Sequence, residues 1–180
     1  AEPSDLPLAR VVAFSLDDAA TTEIDDAFSL TPLDSGRSRI GIHIAAPGLG
    51  FAPRSPLGAV ARERLSTVYM PGNKITMLPP AVIARFTLAE GRACPALSLY
   101  LDVREDDFTV ENRHTCVERV PIAANLRHHA VEALDAAFLA GDVPRDIAFA
   151  GEMNTLWKFA LALEQARGKL GRIDMTDNPG

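Results

Sequence analysis

The stretch Leu16-Asp17-Asp18-Ala19-Ala20-Thr21-Thr22-Glu23-Ile24-Asp25-Asp26-Ala27 sets five carboxylates within ten residues, between two apolar runs. Residues 10–16 (Arg10-Val11-Val12-Ala13-Phe14-Ser15-Leu16) and 27–33, which opens Ala27-Phe28-Ser29-Leu30, read as strands; the acidic segment between them reads as an irregular loop, too polar to be buried without partners. Two like charges about 4 Å apart repel by roughly 1 kcal/mol in water and by more where water is excluded. Converging acids at a strand edge are therefore either a solvated turn or a site for a hard cation. It is no EF-hand, since the alternating oxygen ligands, central glycine and closing glutamate are absent. Spacing is what favours a metal: Asp17 at one strand end and Asp25-Asp26 at the next strand start can meet across a sheet edge. Adjacent carboxylates at a strand start point to opposite faces, so only one of Asp25 and Asp26 need bind a given ion.

Outward from this loop, Asp34-Ser35-Gly36 is a turn and 39–45 a third strand, giving a local antiparallel or meandering sheet. Ser55-Pro56 opens a helix over 55–66, with Ser as N-cap and an apolar stripe of Leu57, Val60, Ala61 and Leu65. Residues 67–80 carry a proline or glycine every few positions and form a loop that presents side chains. Pro80 starts a short helix through Phe86. Residues 95–103 alternate as a half-buried strand, Glu105-Asp106-Asp107 turns, and 108–120 returns as its hairpin partner. From Leu126 the pattern is helical, with Val131, Leu134, Ala137 and Phe138 in a stripe ending at Gly141. A second helix over 151–167 turns Leu156, Phe159, Ala160, Leu163 and Ala166 inward, with Gly168 or Gly171 past its end. The tail 173–180 stops in loop chemistry, as expected of a chain cut short. The expected class is α+β, a mixed and mainly antiparallel sheet with flanking helices, sheet-rich with the acidic site over 10–120 and helical over 126–180.

A chain of 180 residues, 47% hydrophobic, fits one domain with a real core. Its net charge of −6 argues against a simple basic nucleic-acid-binding module, although a metal-dependent nuclease site is itself acidic. Cys94 and Cys116 lack ligand spacing and read as reduced thiols. There is no repeat, no apolar run long enough to span a bilayer and no signal-peptide pattern at the start, so a soluble cytoplasmic protein is expected. His43, facing opposite to Ile42 and Ile44, reads as a structural histidine; His128-His129 read as solvent-facing. Arg62, Arg64, Lys74 and Arg85 are either a phosphate path or isolated surface cations.

Three ordered motifs then carry a resemblance: Ser15–Phe28 as a whole, Gly41-Ile42-His43-Ile44-Ala45-Ala46-Pro47, and Leu65-Ser66-Thr67-Val68-Tyr69-Met70-Pro71-Gly72-Asn73-Lys74-Ile75-Thr76-Met77-Leu78-Pro79. Together they resemble the RNB catalytic domain of the RNase II and RNase R exoribonucleases, over roughly residues 10 to 175. Ala166-Arg167-Gly168-Lys169-Leu170 followed by Asp174 is similar to the helix end in mid-domain. The resemblance implies the N-terminal half of a domain that hydrolyses single-stranded RNA processively, 3′ to 5′, to nucleoside monophosphates with Mg²⁺, or with Mn²⁺ in its place. It places Asp17, Asp25 and Asp26 on active-site aspartates, Asp17 and Asp26 as direct metal ligands. Asp25 matches the aspartate critical for cleavage, holding a second ion or the attacking water. Glu23 falls on a fourth metal position where many members have Asp; one more methylene displaces its carboxylate by about 1.5 Å, which the backbone must absorb. Tyr69 matches an aromatic that stacks on RNA near the 3′ end. Ala46 stands where the family often has Asp, so that polar contact is missing. A second half of the domain and OB-type RNA-binding domains are expected outside this chain. The rival expectations are a catalytically silent RNA-binding relative and a small domain stabilised by Ca²⁺ or Mg²⁺.

Overall fold

The computed structural model describes residues 5–18, 21–127, 137, 140 and 147–168. In chain order the elements are β1 (Ala13–Asp17), β2 (Asp26–Leu33), β3 (Arg37–Ala45), a 3-10 turn (Pro47–Gly50), α1 (Pro56–Arg64), β4 (Val68–Met70), β5 (Asn73–Ile75), α2 (Pro80–Phe86), β6 (Ala93–Arg104), β7 (Val110–Arg127) and α3 (Ala150–Ala166). Five strands close into a barrel in the order β1-β2-β3-β6-β7, while β4 and β5 form a separate two-stranded hairpin. Every barrel pairing is antiparallel except the closing one, where β1 runs parallel to β7 with Leu16 opposite Leu126 and Asp17 opposite Arg127. The expected α+β class, with a mixed and mainly antiparallel sheet, is the one observed.

Strand alternation sorts the side chains into two environments. One face packs α3: Met153 joins Phe14, Leu16 and Phe28, and Phe159 joins Ile40, Val103, Leu30 and Leu101. The opposite face lines the barrel interior, whose end nearest the acidic loop is closed by Ala13, Ala27, Ala96, Val120 and Ile122 with Ile24 and Leu88 laid across them. Further along the interior becomes polar. His43, fully buried, stands between Ser29 Oγ at 2.9 Å from Nε2 and Ser98 Oγ at 2.8 Å from Nδ1. Beside it Tyr100 Oη donates to Glu118 at 2.6 Å, and Arg39 grips Asp102 with two bonds of 2.6 and 2.9 Å. Gly41 makes room for this set, since a Cβ there would collide with Ser29 Oγ and lie 2.7 Å from His43 Nε2.

Several local expectations hold. Ser55 caps α1 by accepting from Gly58 N at 3.1 Å, with Pro56 at the first helical position. The turn at 105–107 and the short helix from Pro80 form where expected. Gly168, with φ +67°, follows the end of α3. Both cysteines are free. No helix among the described residues is long and apolar enough to cross a membrane.

Other expectations are corrected. Leu126 and Arg127 are not helical; they extend β7, because the barrel closes only if β7 continues far enough to meet β1. The sheet-rich part thus reaches 127 rather than 120. The remainder of the helix expected there lies outside the described residues except Ala137 and Ala140, both helical. Leu65 does not join the stripe of α1: it caps the helix with φ +64° and is 78% exposed. On α3, Ala160 and Ala166 are exposed, and the line packed on the barrel runs through buried Met153 and Phe159 and half-buried Leu156 and Leu163 instead. Residues 67–80 form no long element, but Gly72, with φ +74°, lets 68–75 fold as a minimal hairpin.

Candidate active site at the acidic end of the barrel

The β1–β2 register, with Ala13 opposite Ser29 and Phe14 opposite Phe28, brings the end of β1 and the start of β2 together. Asp17 is the last residue of β1 and Asp26 the first of β2, so both sit at one mouth of the barrel with Asp25 beside them. The loop between is tethered rather than loose. Ile24 is buried, donates its N–H to Thr87 Oγ1 at 2.8 Å and accepts from Leu88 N at 2.9 Å. Arg127 donates to the carbonyls of Asp18 and Thr21 at 3.2 and 3.0 Å.

Each expected site residue has a distinct setting. Asp17 is oriented by Ser15 Oγ, which donates to Oδ2 at 2.6 Å and itself accepts from Asn125 Nδ2 at 2.9 Å. Asp25 and Asp26 are exposed, yet their carboxyls lie above the ordinary range. For Asp25 the causes are partial burial first, then the charges of Glu23, Asp26 and Asp17, with Lys74 pulling the other way. For Asp26 they are partial burial and Asp17. The acids are therefore near enough to repel one another, although no three His, Cys, Asp or Glu side chains among the described residues converge as a metal-holding group. Asp18 is exposed at the loop's edge.

Glu23 differs from the others. Its side chain is 10% exposed, and Oε1 lies 3.1 Å from Lys74 Nζ. Lys74 also donates to Thr22 Oγ1 at 2.8 Å, and Thr67 Oγ1 stands 3.5 Å from Glu23 Oε2. Tyr69 is 72% exposed and opposite Lys74 in the hairpin. Asp25, Glu23 and Tyr69 line one cleft of about 380 Å³, whose apolar wall includes Met77, Leu78, Ile83 and Phe86. A neighbouring cleft of about 500 Å³ is lined by Asp18, Thr21, Asn73 and Lys74 and shares Glu23 and Tyr69. Asp17 and Asp26 line neither.

Of the four cations read as a possible phosphate path, Lys74 lines one of these two clefts and the three arginines line neither. Arg62 bonds the carbonyl of Pro53, Arg64 that of Thr76 at 2.8 Å, and Arg85 lies 5.7 Å over the Phe86 ring. His43 is the structural residue expected; burial pushes its pKa down to about 4. His128-His129 and residues from Lys169 onward lie outside the described residues. Sequence reasoning missed Ser15, Asn125 and Arg127 as supports of the site. Asn125 and Arg127 lie more than 100 residues from the groups they hold, and no local pattern marks such a contact.

Comparison with known proteins identifies the family and the fold. The family model described as the RNB domain matches residues 6–180. Ribonuclease II of Arabidopsis thaliana, chloroplastic/mitochondrial, is 32% identical over 136 residues, covering 71% of this chain and 17% of its own length. Exoribonuclease 2 of Vibrio parahaemolyticus is 30% identical over 131 residues, with 72% and 19% covered. The chain thus spans less than a fifth of the length of these curated relatives. Among solved structures, an active-site mutant of the Dss1 exoribonuclease from Candida glabrata superposes with TM-score 0.76 at 23% identity, over 93% of this chain and 23% of that one. Yeast Ssd1, a pseudonuclease, superposes with TM-score 0.75 at 17% identity, over 92% and 20%. At these identities the structures speak for the fold, and the family match over nearly all of the sequence speaks for descent: the chain belongs to the RNB domain family.

Proposed function

We propose that this chain is the N-terminal part of the catalytic domain of a metal-dependent exoribonuclease, one that shortens single-stranded RNA processively from its 3′ end and releases nucleoside 5′-monophosphates. The observation that carries the reading is the cleft shared by Asp25 and Tyr69, which sets a carboxylate and an exposed aromatic ring around one space at the acidic mouth of the barrel. The names of the curated relatives support the same reaction class. The remainder of the catalytic domain and OB-type RNA-binding domains complete the enzyme from outside these residues, and a cytoplasmic setting goes with this role.

The donor chemistry fits a hard cation. Asp17, Asp25 and Asp26 offer only oxygen, and the like charges that, after partial burial, raise the Asp25 and Asp26 carboxyls are what a divalent ion relieves. Mg²⁺ needs only one or two protein carboxylates, with waters and substrate phosphate oxygens filling its octahedron. Asp17 and Asp26 would hold it, or Mn²⁺ in its place, and Asp25 would hold a second ion or the attacking water. When bound, such an ion stabilises charge on the phosphoryl oxygens and acidifies water. The chain's own residues do the rest. Ser15 fixes the Asp17 carboxylate, Tyr69 offers a face for a terminal base, and the apolar wall of the cleft keeps bulk water off that base.

The test uses the full-length protein with single-stranded RNA labelled at its 5′ end and Mg²⁺. A ladder shortening from the 3′ end with mononucleotide release is expected, abolished in Asp25→Asn while RNA binding remains. Cleavage by Asp25→Asn at the wild-type rate overturns the assignment. A second reading, a silent RNA-binding relative, draws on the Glu23–Lys74 pair, which already satisfies one of the acids. It wins if RNA binds but no mononucleotide appears with Mg²⁺ or Mn²⁺.

A further inference from the structure

The hairpin that carries Tyr69 pairs with no strand of the barrel, so something else must fix where that ring stands. Two contacts on one carboxylate, with a third on the neighbouring Thr22, meet this need. Lys74, directly across the hairpin from Tyr69, reaches Glu23 Oε1 at 3.1 Å and Thr22 Oγ1 at 2.8 Å. Thr67, just before β4, stands 3.5 Å from Glu23 Oε2 while its Oγ1 accepts from Met77 N at 3.1 Å, just after β5. One root of the hairpin and the cross-strand partner of Tyr69 thus gather on Glu23, and Thr67 ties the other root to the first. With its side chain only 10% exposed, Glu23 is a desolvated carboxylate whose strongest partner is the Lys74 ammonium.

We infer that Glu23 and Lys74 form a clasp that positions Tyr69 beside Asp25, making both of them positioning residues for the RNA 3′ end, and that Glu23 serves this clasp rather than a metal. The inference rests on the exoribonuclease reading for its substrate and departs from it over Glu23, which the resemblance set among the metal positions. The geometry explains why the longer side chain is accommodated here: the extra methylene carries the carboxylate toward the hairpin. Because Glu23 and Tyr69 line both clefts, the clasp fixes the wall they share.

A double-mutant cycle on the full-length protein tests the clasp, with single-stranded RNA affinity as one readout. Lys74→Ala and Tyr69→Ala are each expected to weaken binding about tenfold, the size of one base stacked on an aromatic ring, and the double variant by little more than either. Lys74→Arg, which keeps the charge, is expected to recover most of the loss. Glu23→Gln is expected to weaken RNA binding like Lys74→Ala while Mn²⁺ affinity, followed by electron paramagnetic resonance, stays within about threefold of wild type. Independent losses that multiply to about a hundredfold overturn the clasp, as does a Glu23→Gln variant that loses Mn²⁺ and keeps RNA. Backbone hydrogen exchange over 68–75 separates this proposal from the one beneath it. If the wild-type protein binds no RNA, the exoribonuclease reading fails, yet faster exchange of the hairpin in Lys74→Ala still supports the clasp and unchanged exchange still overturns it.

Discussion

The two polar regions of this barrel are built on opposite principles. Around His43 each buried polar group has a partner of matching chemistry: Ser29 and Ser98 for the imidazole, Tyr100 for Glu118, Arg39 for Asp102. At the acidic mouth partial burial first, and then the charges of Glu23, Asp26 and Asp17, push the Asp25 carboxyl up rather than down, with Lys74 opposing them. Satisfied polar sets inside a fold hold structure; like charges gathered at its rim raise one another's carboxyls instead. The same residue types therefore mean different things at the two places, and composition alone cannot distinguish them.

Four measurements break or sharpen that contrast. The largest effect falls on chemistry: Asp25→Asn should cut the rate of RNA hydrolysis by at least about a thousandfold, as loss of several kcal/mol of transition-state stabilisation requires. Its melting temperature should not fall, because the variant removes a repelling charge; a cooperative loss of stability would place Asp25 with the structural set. Next comes acid sensitivity of the interior. His43 has its folded pKa lowered from 6.5 to about 4, so below pH 6.5 the unfolded chain takes up a proton that the folded chain refuses. Stability attached to neutral His43 is complete above that pH and is lost as pH falls toward 4, by about 3 kcal/mol in all. Denaturant unfolding at pH 7.5 and 4.5 measures it, and a His43→Gln variant should lose much of the difference.

Smaller again is Tyr100→Phe, which strips the buried Glu118 of its 2.6 Å donor and should cost about 2 kcal/mol at pH 7. Smallest is Asp26→Asn. A carboxyl whose folded pKa is raised weakens the fold once ionised, so this change should stabilise the metal-free protein above about pH 4, by less than about 1 kcal/mol given its exposure. If Asp26→Asn destabilised instead, Asp26 would be a structural acid like Asp102.

Much of this molecule could be read from residues alone where the cause is local. Ser55-Pro56 announces α1 because a cap and a fixed φ act within one turn, and alternation places His43 on the inner face because the strand period is two. The acidic cluster and Tyr69 were legible as motifs. The barrel's closure was not: Leu126 and Arg127 carry a helical pattern forward into the next segment, and only their pairing with Leu16 and Asp17 makes them strand. Leu65 looked buried because helical spacing assumes the helix continues, whereas it ends there with Leu65 turned to φ +64°. The Glu23–Lys74 pair spans two motifs that each look complete without the other, so nothing in either one betrays the bond between them.

The parallel pairing of β1 with β7 also governs when the site comes into being. Ser15 and Asn125, whose hydrogen bond orients Asp17, are 110 residues apart. At roughly 5–20 residues per second, a ribosome needs on the order of 5–20 s to make the second after the first. During that interval the aspartates exist but their frame does not. The Asp17 carboxylate thus stays unaligned until the last barrel strand has been synthesised.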